Sequence, residues 1–140
     1  MRSTIVEPAT VDYIWPQVER FIKAGFTWGR GKRGCGDETL ENTIDALREG
    51  RCQLWVMHNG RGLRGAGVTK VDVLPTGRKI CVTISYGGDR LDECKHILKD
   101  VEAFARANGC SAVRITGRPG WRVFKKYGYK EPFICLEKEL

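Results

Sequence analysis

Apolar residues recur along the chain with two different periods, and these periods separate the predicted helices from the predicted strands. Spacings of three and four residues, typical of amphipathic helices, occur in three segments. The expected helices begin after Thr10, after a cap at Asp37 or Thr39, and at Leu91, the last continuing to Asn108. Gly25, Gly50 and Gly109 follow these runs and are expected to end them. Pro16 lies inside the first run, where it is expected to kink the helix or to mark its beginning.

Shorter apolar runs between turn residues are typical of strands. They lie at residues 3–7, 52–58, 65–74, 78–86, 112–115 and 133–137. The turn signals Asn59-Gly60 and Pro75-Thr76-Gly77 separate the middle strands, which predicts an antiparallel meander. A short helix is predicted from Pro119 to Lys126. The order β-α-α-β-β-β-α-β-α-β therefore predicts an α/β fold with a mixed sheet and helices on both faces, formed by residues 1–140 as one domain.

Composition narrows the class of protein. The 140 residues are 41% hydrophobic and 29% charged, as in ordinary globular domains. No apolar run is long enough to cross a bilayer, and the first ten residues lack the apolar core of a signal peptide, so neither membrane insertion nor export by a signal peptide is expected. The six cysteines show no C-x-x-C spacing, so we expect reduced thiols and no metal site.

Positive charge is concentrated near the C-terminus of a chain whose net charge is +7. Residues 111–130 contain six Lys and Arg residues and no carboxylate. The helical spacing of the 119–126 segment predicts one cationic surface, formed by Arg118, Arg122, Lys125 and Lys126. Such a surface attracts an acidic protein or a phosphate backbone. The alternatives are a solvated basic face, or a face that tertiary contacts with Asp100, Glu102 or Glu137 neutralise.

The segment from Ala103 to Tyr129 contains a helix, Gly-Cys, a strand, Gly-Arg-Pro-Gly-Trp, a short basic helix and Tyr-Gly-Tyr. Together with the order of elements, this segment resembles the GNAT superfamily of N-acyltransferases. More narrowly, Ala-Asn-Gly-Cys and Gly-Arg-Pro-Gly-Trp followed by Tyr-Gly-Tyr resemble the short GNAT-like proteins of tailed bacteriophages. The resemblance implies that strands 78–86 and 112–115 diverge, and it implies a location in the host cytoplasm or the virion.

Acetyl-CoA is the cofactor that the resemblance implies. In the superfamily it binds where these two strands diverge, and its pyrophosphate contacts backbone N–H groups at the start of the long helix. The corresponding residues here are Ile84, Ser85, Tyr86, Gly87, Gly88, Arg90 and Leu91. The glycines and the arginine depart from the spacing of the superfamily, and Asp89, Asp92 and Glu93 would repel a pyrophosphate. Acetyl-CoA and no cofactor both remain open.

The superfamily also uses a tyrosine that protonates the departing thiolate. Aligned on Gly128, this chain has Phe124 at that position. The remaining candidates for the acid are Tyr127, three residues further on, and Tyr86 at the strand end. Asp72 and Glu38 are candidate bases by topology alone.

Three functions are consistent with these residues. The preferred hypothesis is a phage-type GNAT-fold protein with a degenerate acetyl-CoA signature, used as a binding module in the virion, in assembly or against a host protein. Its partner would present an acidic surface, and self-association stays open. The alternative is an active N-acetyltransferase that acetylates a lysine, an N-terminus or a small-molecule amine. The third is a basic domain that binds nucleic acid.

Overall fold

The computed structural model describes residues 2–28, 32–33, 39–90, 94–116, 119–133, 136, 138 and 140. At residues 26–28, 32, 33, 94 and 119–122 the description covers the backbone alone. The strands are β1 (Arg2–Val6), β2 (Thr27–Trp28), β3 (Lys32–Arg33), β4 (Gln53–Asn59), β5 (Gly62–Val73), β6 (Lys79–Gly88) and β7 (Ala112–Ile115). The helices are α1 (Val11–Phe26), α2 (Leu40–Arg48) and α3 (Cys94–Ala107), with 3₁₀ segments at Pro8–Thr10 and Pro119–Tyr127.

Five strands form one mixed sheet in the order β1-β4-β5-β6-β7. The pairs β1–β4, β4–β5 and β5–β6 are antiparallel, and β6–β7 is parallel. Strands β2 and β3 pair only with each other. The predicted antiparallel meander is therefore confirmed, and a parallel strand joins it at the side of β6.

Helices cover both faces of this sheet, as predicted. The core beneath α1 and α2 contains Val18, Ile22, Leu47, Leu54 and Val68. On the opposite face, the core beneath α3 contains Trp55, Met57, Cys81, Ile97 and Val101. No helix in the described part of the chain is long and apolar enough to span a membrane.

Local signals placed several boundaries correctly. The Thr39 hydroxyl accepts a hydrogen bond from the Asn42 N–H at 3.1 Å, which is the expected N-cap of α2. Gly109 has a φ of +76° just after α3, and the Cys110 N–H donates to the Ala105 carbonyl at 2.9 Å. In the turn before β6, Gly77 has a φ of +84° and its N–H donates to the Leu74 carbonyl at 2.8 Å.

Other boundaries differ from the sequence-based expectation. Helix α1 begins at Val11 with Pro16 inside it, and it continues through Gly25 to Phe26 instead of ending there. The segment after Pro119 is a 3₁₀ helix and not an α-helix. The predicted strand 133–137 falls partly outside the described residues, and its described members Phe133 and Leu136 are exposed and lie in no strand.

Candidate functional site

Strand β7 ends partway along β6, at the position where the resemblance implies that the two strands diverge. Their pairing runs from Ile80 opposite Ala112 to Thr83 opposite Ile115, and residues 84–88 of β6 extend beyond it. The Thr116 hydroxyl donates to the Thr83 carbonyl at 3.3 Å at the edge of the gap. The space beside residues 84–88 of β6, beyond the end of β7, is the candidate site and is called the gap between β6 and β7.

A β-bulge lies on β6 where the gap opens. Ser85 pairs with Val68 and Thr83 pairs with Thr69, so Ile84 is an extra residue without a partner on β5. A bulge of this kind turns two successive side chains toward one face of the sheet. Both Ile84 and Ser85 accordingly lie on the α1 face, because Ile84 packs against the core there and Ser85 bonds to α1.

Apolar side chains fill the gap on the α3 face. They leave a cavity of about 30 Å³, whose lining includes Thr83, Tyr86, Ile97, Leu98, Ile115 and Phe124. Phe124 is 3% exposed and Tyr86 is 7% exposed. Such a cavity holds one or two water molecules, whereas pockets for ligands of drug size measure roughly 300–1,000 Å³. The described residues therefore leave too little space in this gap for the thioester arm of acetyl-CoA.

Helix α1 closes the other face of the same strand end. A Cβ added at Gly87 would lie 2.0 Å from the Phe21 carbonyl oxygen. A Cβ added at Gly25 would lie 2.8 Å from the Tyr86 nitrogen. The two glycines thus let the helix backbone rest directly on the strand backbone, and this close approach is why Gly25 is needed inside α1.

The predicted cofactor-binding residues are mostly engaged within the protein. The Ser85 hydroxyl is buried and donates to the Ile22 carbonyl at 2.8 Å. Gly88 lies against the Tyr86 phenol, because a Cβ there would be 2.6 Å from the phenolic oxygen. Asp89 lies 3.6 Å from Arg64, so a cation neutralises one of the carboxylates expected to repel a pyrophosphate. Arg90 is exposed, and Leu91 lies outside the described residues.

The two candidate acids point into different cavities. The Tyr86 hydroxyl is buried on the α3 face, 3.7 Å from the Met57 sulfur. Tyr127 is 42% exposed and lines a second cleft on the far side of Phe124. The ring centroids of Phe124 and Tyr127 are 6.3 Å apart, and Phe124 lines the cavity at the gap whereas Tyr127 does not.

Asp72, the one candidate base among the described residues, does not lie at the gap. Asp72 pairs with Ile80 near the other end of β6, and its carboxylate is 3.5 Å from the Lys70 ammonium. Glu38 lies outside the described residues. A contact that sequence reasoning missed is the buried bond from the Trp55 indole N–H to the Thr69 hydroxyl at 2.9 Å, next to the apolar cavity.

The second cleft, also missed from the sequence, is polar and measures about 270 Å³. It lies between α3, the start of β7 and the turn after Tyr127, and its lining includes Glu102, Arg106, Ser111, Tyr129 and Lys130. The Tyr129 hydroxyl donates to the Glu102 carboxylate at 3.1 Å. Burial, followed by the Glu102 charge, raises the pKa of Tyr129 well above its ordinary range.

The predicted cationic surface is only partly described. Arg118 and the side chain of Arg122 lie outside the described residues. Lys125 lies 3.4 Å from the Glu131 carboxylate, and the Lys126 ammonium is 5.2 Å from the ring of Tyr127. Among the described residues, neither Asp100 nor Glu102 pairs with Lys125 or Lys126: the Asp100 carboxylate accepts from the Ser3 hydroxyl, and Glu102 accepts from Tyr129. Glu137 lies outside the described residues.

Comparison with known proteins identifies the fold but not a close relative. No family model matches the sequence, and no curated protein matches it. Solved structures of GNAT acetyltransferases superpose over the whole chain. The chain has a GNAT-like fold.

Three of these structures show the extent of the likeness. The ribosomal-protein-alanine N-acetyltransferase from Brucella melitensis biovar Abortus 2308 is 9% identical over 100% of both chains, with a TM-score of 0.69. An aminoglycoside acetyltransferase, meta-AAC0020, from an uncultured soil metagenomic sample is 11% identical over 99% of this chain and 95% of its own, with a TM-score of 0.69. An acetyltransferase from Trypanosoma brucei is 14% identical over 99% of both chains, with a TM-score of 0.65. At these identities the GNAT-like fold is shared, whereas function must be argued from the site.

Proposed function

We propose that this protein is a GNAT-like binding module that does not transfer acetyl groups. The observation that carries the proposal is the filled gap between β6 and β7, where apolar side chains leave only about 30 Å³. A cofactor arm could enter only if Phe124 and its neighbours left the core, and removing a buried aromatic side chain costs about 3–5 kcal/mol.

Three further observations support the proposal. The Phe124 side chain has no proton to donate, and in the alignment on Gly128 it occupies the position of the superfamily's general-acid tyrosine. The Ser85 hydroxyl is already bonded to Ile22 at 2.8 Å. Helix α1 rests on the backbone of Tyr86 and Gly87, which closes the second route to the strand end.

The partner that we propose is a protein with an acidic surface, because the chain carries a net charge of +7. A role in a phage virion, in its assembly or against a host protein in the host cytoplasm follows from the sequence resemblance alone. These finer assignments are part of the proposal.

Titration calorimetry with acetyl-CoA tests the proposal directly. We expect no heat of binding at millimolar ligand, and coenzyme A without the acetyl group serves as the matched control. Binding in the micromolar range by either ligand would refute the filled-gap argument.

Acetyl transfer is the second candidate, and the geometry of β6 favours it. The bulge at Ile84 and the lack of a partner on β7 for residues 84–88 leave backbone groups at the gap, as an acyl-binding strand requires. If transfer occurs, Tyr86→Phe or Tyr127→Phe should lower turnover by roughly 10²-fold or more at whichever residue is the acid. Unchanged turnover in both variants would exclude both tyrosines from that role.

A further inference from the structure

The polar cleft of about 270 Å³ lies at the opposite end of the sheet from the gap between β6 and β7. The gap opens beyond Ile115, where β7 ends, whereas the cleft is lined by Ser111, Ala112 and Val113, where β7 begins. A ligand in this cleft would therefore not depend on the filled gap.

Two cations line the cleft, and two more lie near it. Arg106 and Lys130 line it, Arg78 donates to the Ser111 hydroxyl at 2.7 Å, and the Lys79 ammonium lies close to Gly109 in the turn between α3 and β7. None of the ion pairs between described residues involves any of the four. Among the residues that the structure describes, no carboxylate pairs with Arg106 or Lys130, the two cations that line the cleft.

Glu102 is the only carboxylate in the described lining, and it forms no ion pair with Arg106 or Lys130 there. It stands four residues before Arg106 on α3, the usual spacing for an ion pair, yet it accepts its hydrogen bond from Tyr129. A tyrosine hydroxyl is protonated at neutral pH, and burial raises the pKa of Tyr129 further, so this bond persists there. Glu102 is held toward Tyr129, and Arg106 remains available on the cleft side.

We propose that this cleft binds an acidic segment of a protein partner, with a carboxylate of that segment entering the recess lined by Arg106 and Lys130. The inference rests on the proposed function as a binding module and assigns its partner surface. A single recess suits one carboxylate side chain, because Arg and Lys recognise carboxylates at close range. A nucleic-acid backbone would instead need cations along an extended track.

Fluorescence anisotropy with a labelled hexaglutamate peptide at low ionic strength tests the proposal. Arg106→Glu and Lys130→Glu should each weaken binding by about tenfold or more, because each reverses a charge next to the bound carboxylate. Arg61→Glu is the matched control, with the same change of net charge on an exposed residue in the turn at the other end of the sheet. It should alter the affinity by less than about twofold, because its distance exceeds the screening length of roughly 10 Å.

Several outcomes would overturn the proposal. These are no binding of hexaglutamate by the unaltered protein, an equal loss in Arg61→Glu, or tighter binding of an oligothymidylate of equal charge. Thermal melting checks that each variant is folded, and Arg106→Gln and Lys130→Gln replace any variant that is not. Acetyl transfer in a separate assay would refute the proposed function, whereas the peptide experiment tests the cleft alone.

Discussion

Replacing Gly87 with alanine tests how closely helix α1 rests on strand β6. The new Cβ would lie 2.0 Å from the carbonyl oxygen of Phe21, 2.8 Å from its carbonyl carbon and 2.9 Å from its Cα. All three atoms are backbone, so no side-chain rotation relieves the contact. The helix must retreat by roughly 1.5 Å to reach an ordinary separation of about 3.5 Å.

The size of the effect follows from what this retreat disrupts. Overpacking a well-packed site costs about 1–3 kcal/mol. The same movement stretches the bond from Ser85 to Ile22 beyond hydrogen-bond distance, which adds about 0.5–1.5 kcal/mol. Alanine restricts the unfolded chain and returns about 0.4–1 kcal/mol. We therefore expect Gly87→Ala to lower the free energy of unfolding by about 2–3 kcal/mol and Tm by about 10 °C.

Urea denaturation and calorimetry measure both quantities. Gly60→Ala is the matched control, because a Cβ at Gly60 meets nothing within 4 Å. This control should be neutral or slightly stabilising. If Gly87→Ala melts within a degree or two of the unaltered protein, α1 does not contact β6 directly at Gly87. Helix α1 would then not close the strand end.

The remaining predictions concern buried polar groups on the α3 side of the sheet. Thr69→Val leaves the buried Trp55 indole N–H without its acceptor and should cost about 1–3 kcal/mol in urea denaturation. Because burial raises the pKa of the Cys81 thiol to about 11, the unfolded chain loses this proton at lower pH than the folded chain, so the free energy of unfolding should fall between about pH 9 and 11. Cys81→Ala should lack that part of the fall. Burial and the Glu102 carboxylate raise the pKa of Tyr129, so its hydroxyl should contribute nothing to the ultraviolet titration of the folded protein below about pH 11. Tyr129→Phe should therefore leave that titration unchanged.

Each of these predictions has a result that would contradict it. Thr76→Val, at an exposed turn, is the control for Thr69→Val, and an equal effect at both positions would contradict the buried bond. An identical pH dependence in Cys81→Ala would contradict the burial of that thiol. A smaller absorbance change in Tyr129→Phe below about pH 11 would show that the Tyr129 hydroxyl ionises readily.

The fold could be predicted from the sequence because its signals are local. The hydrophobic periodicity of the sequence predicted most of the helices and strands, since the apolar face of each element is formed by residues only a few positions apart. The cap at Thr39 and the turns at Gly77 and Gly109 follow from backbone conformation at single residues. The expected divergence of β6 and β7 followed from the resemblance to the GNAT superfamily, which rests on the segment from Ala103 to Tyr129.

The state of the site was decided by residues distant in sequence. Ser85 and Ile22 are 63 positions apart, and only the packing of α1 on β6 brings the hydroxyl to that carbonyl. The same packing explains why Gly25 lies inside helix α1, although the local sequence pattern predicts that the helix ends at this glycine. Whether an aromatic residue such as Phe124 fills a gap depends on the distance between two strands and a helix, and no periodicity encodes that distance.

The pairing of charged residues also depends on contacts that the sequence alone does not predict. The sequence contains six cationic residues and no carboxylate between residues 111 and 130, but Lys125 forms an ion pair with Glu131, just beyond this segment. The pairing of Glu102 with Tyr129 leaves Arg106 to face the polar cleft, although helical spacing alone favours a bond between Glu102 and Arg106. The sequence thus determined which charges this protein carries and which elements it forms, whereas tertiary contacts decided which charges stay available and which cavities stay open, because both depend on distances that folding alone creates.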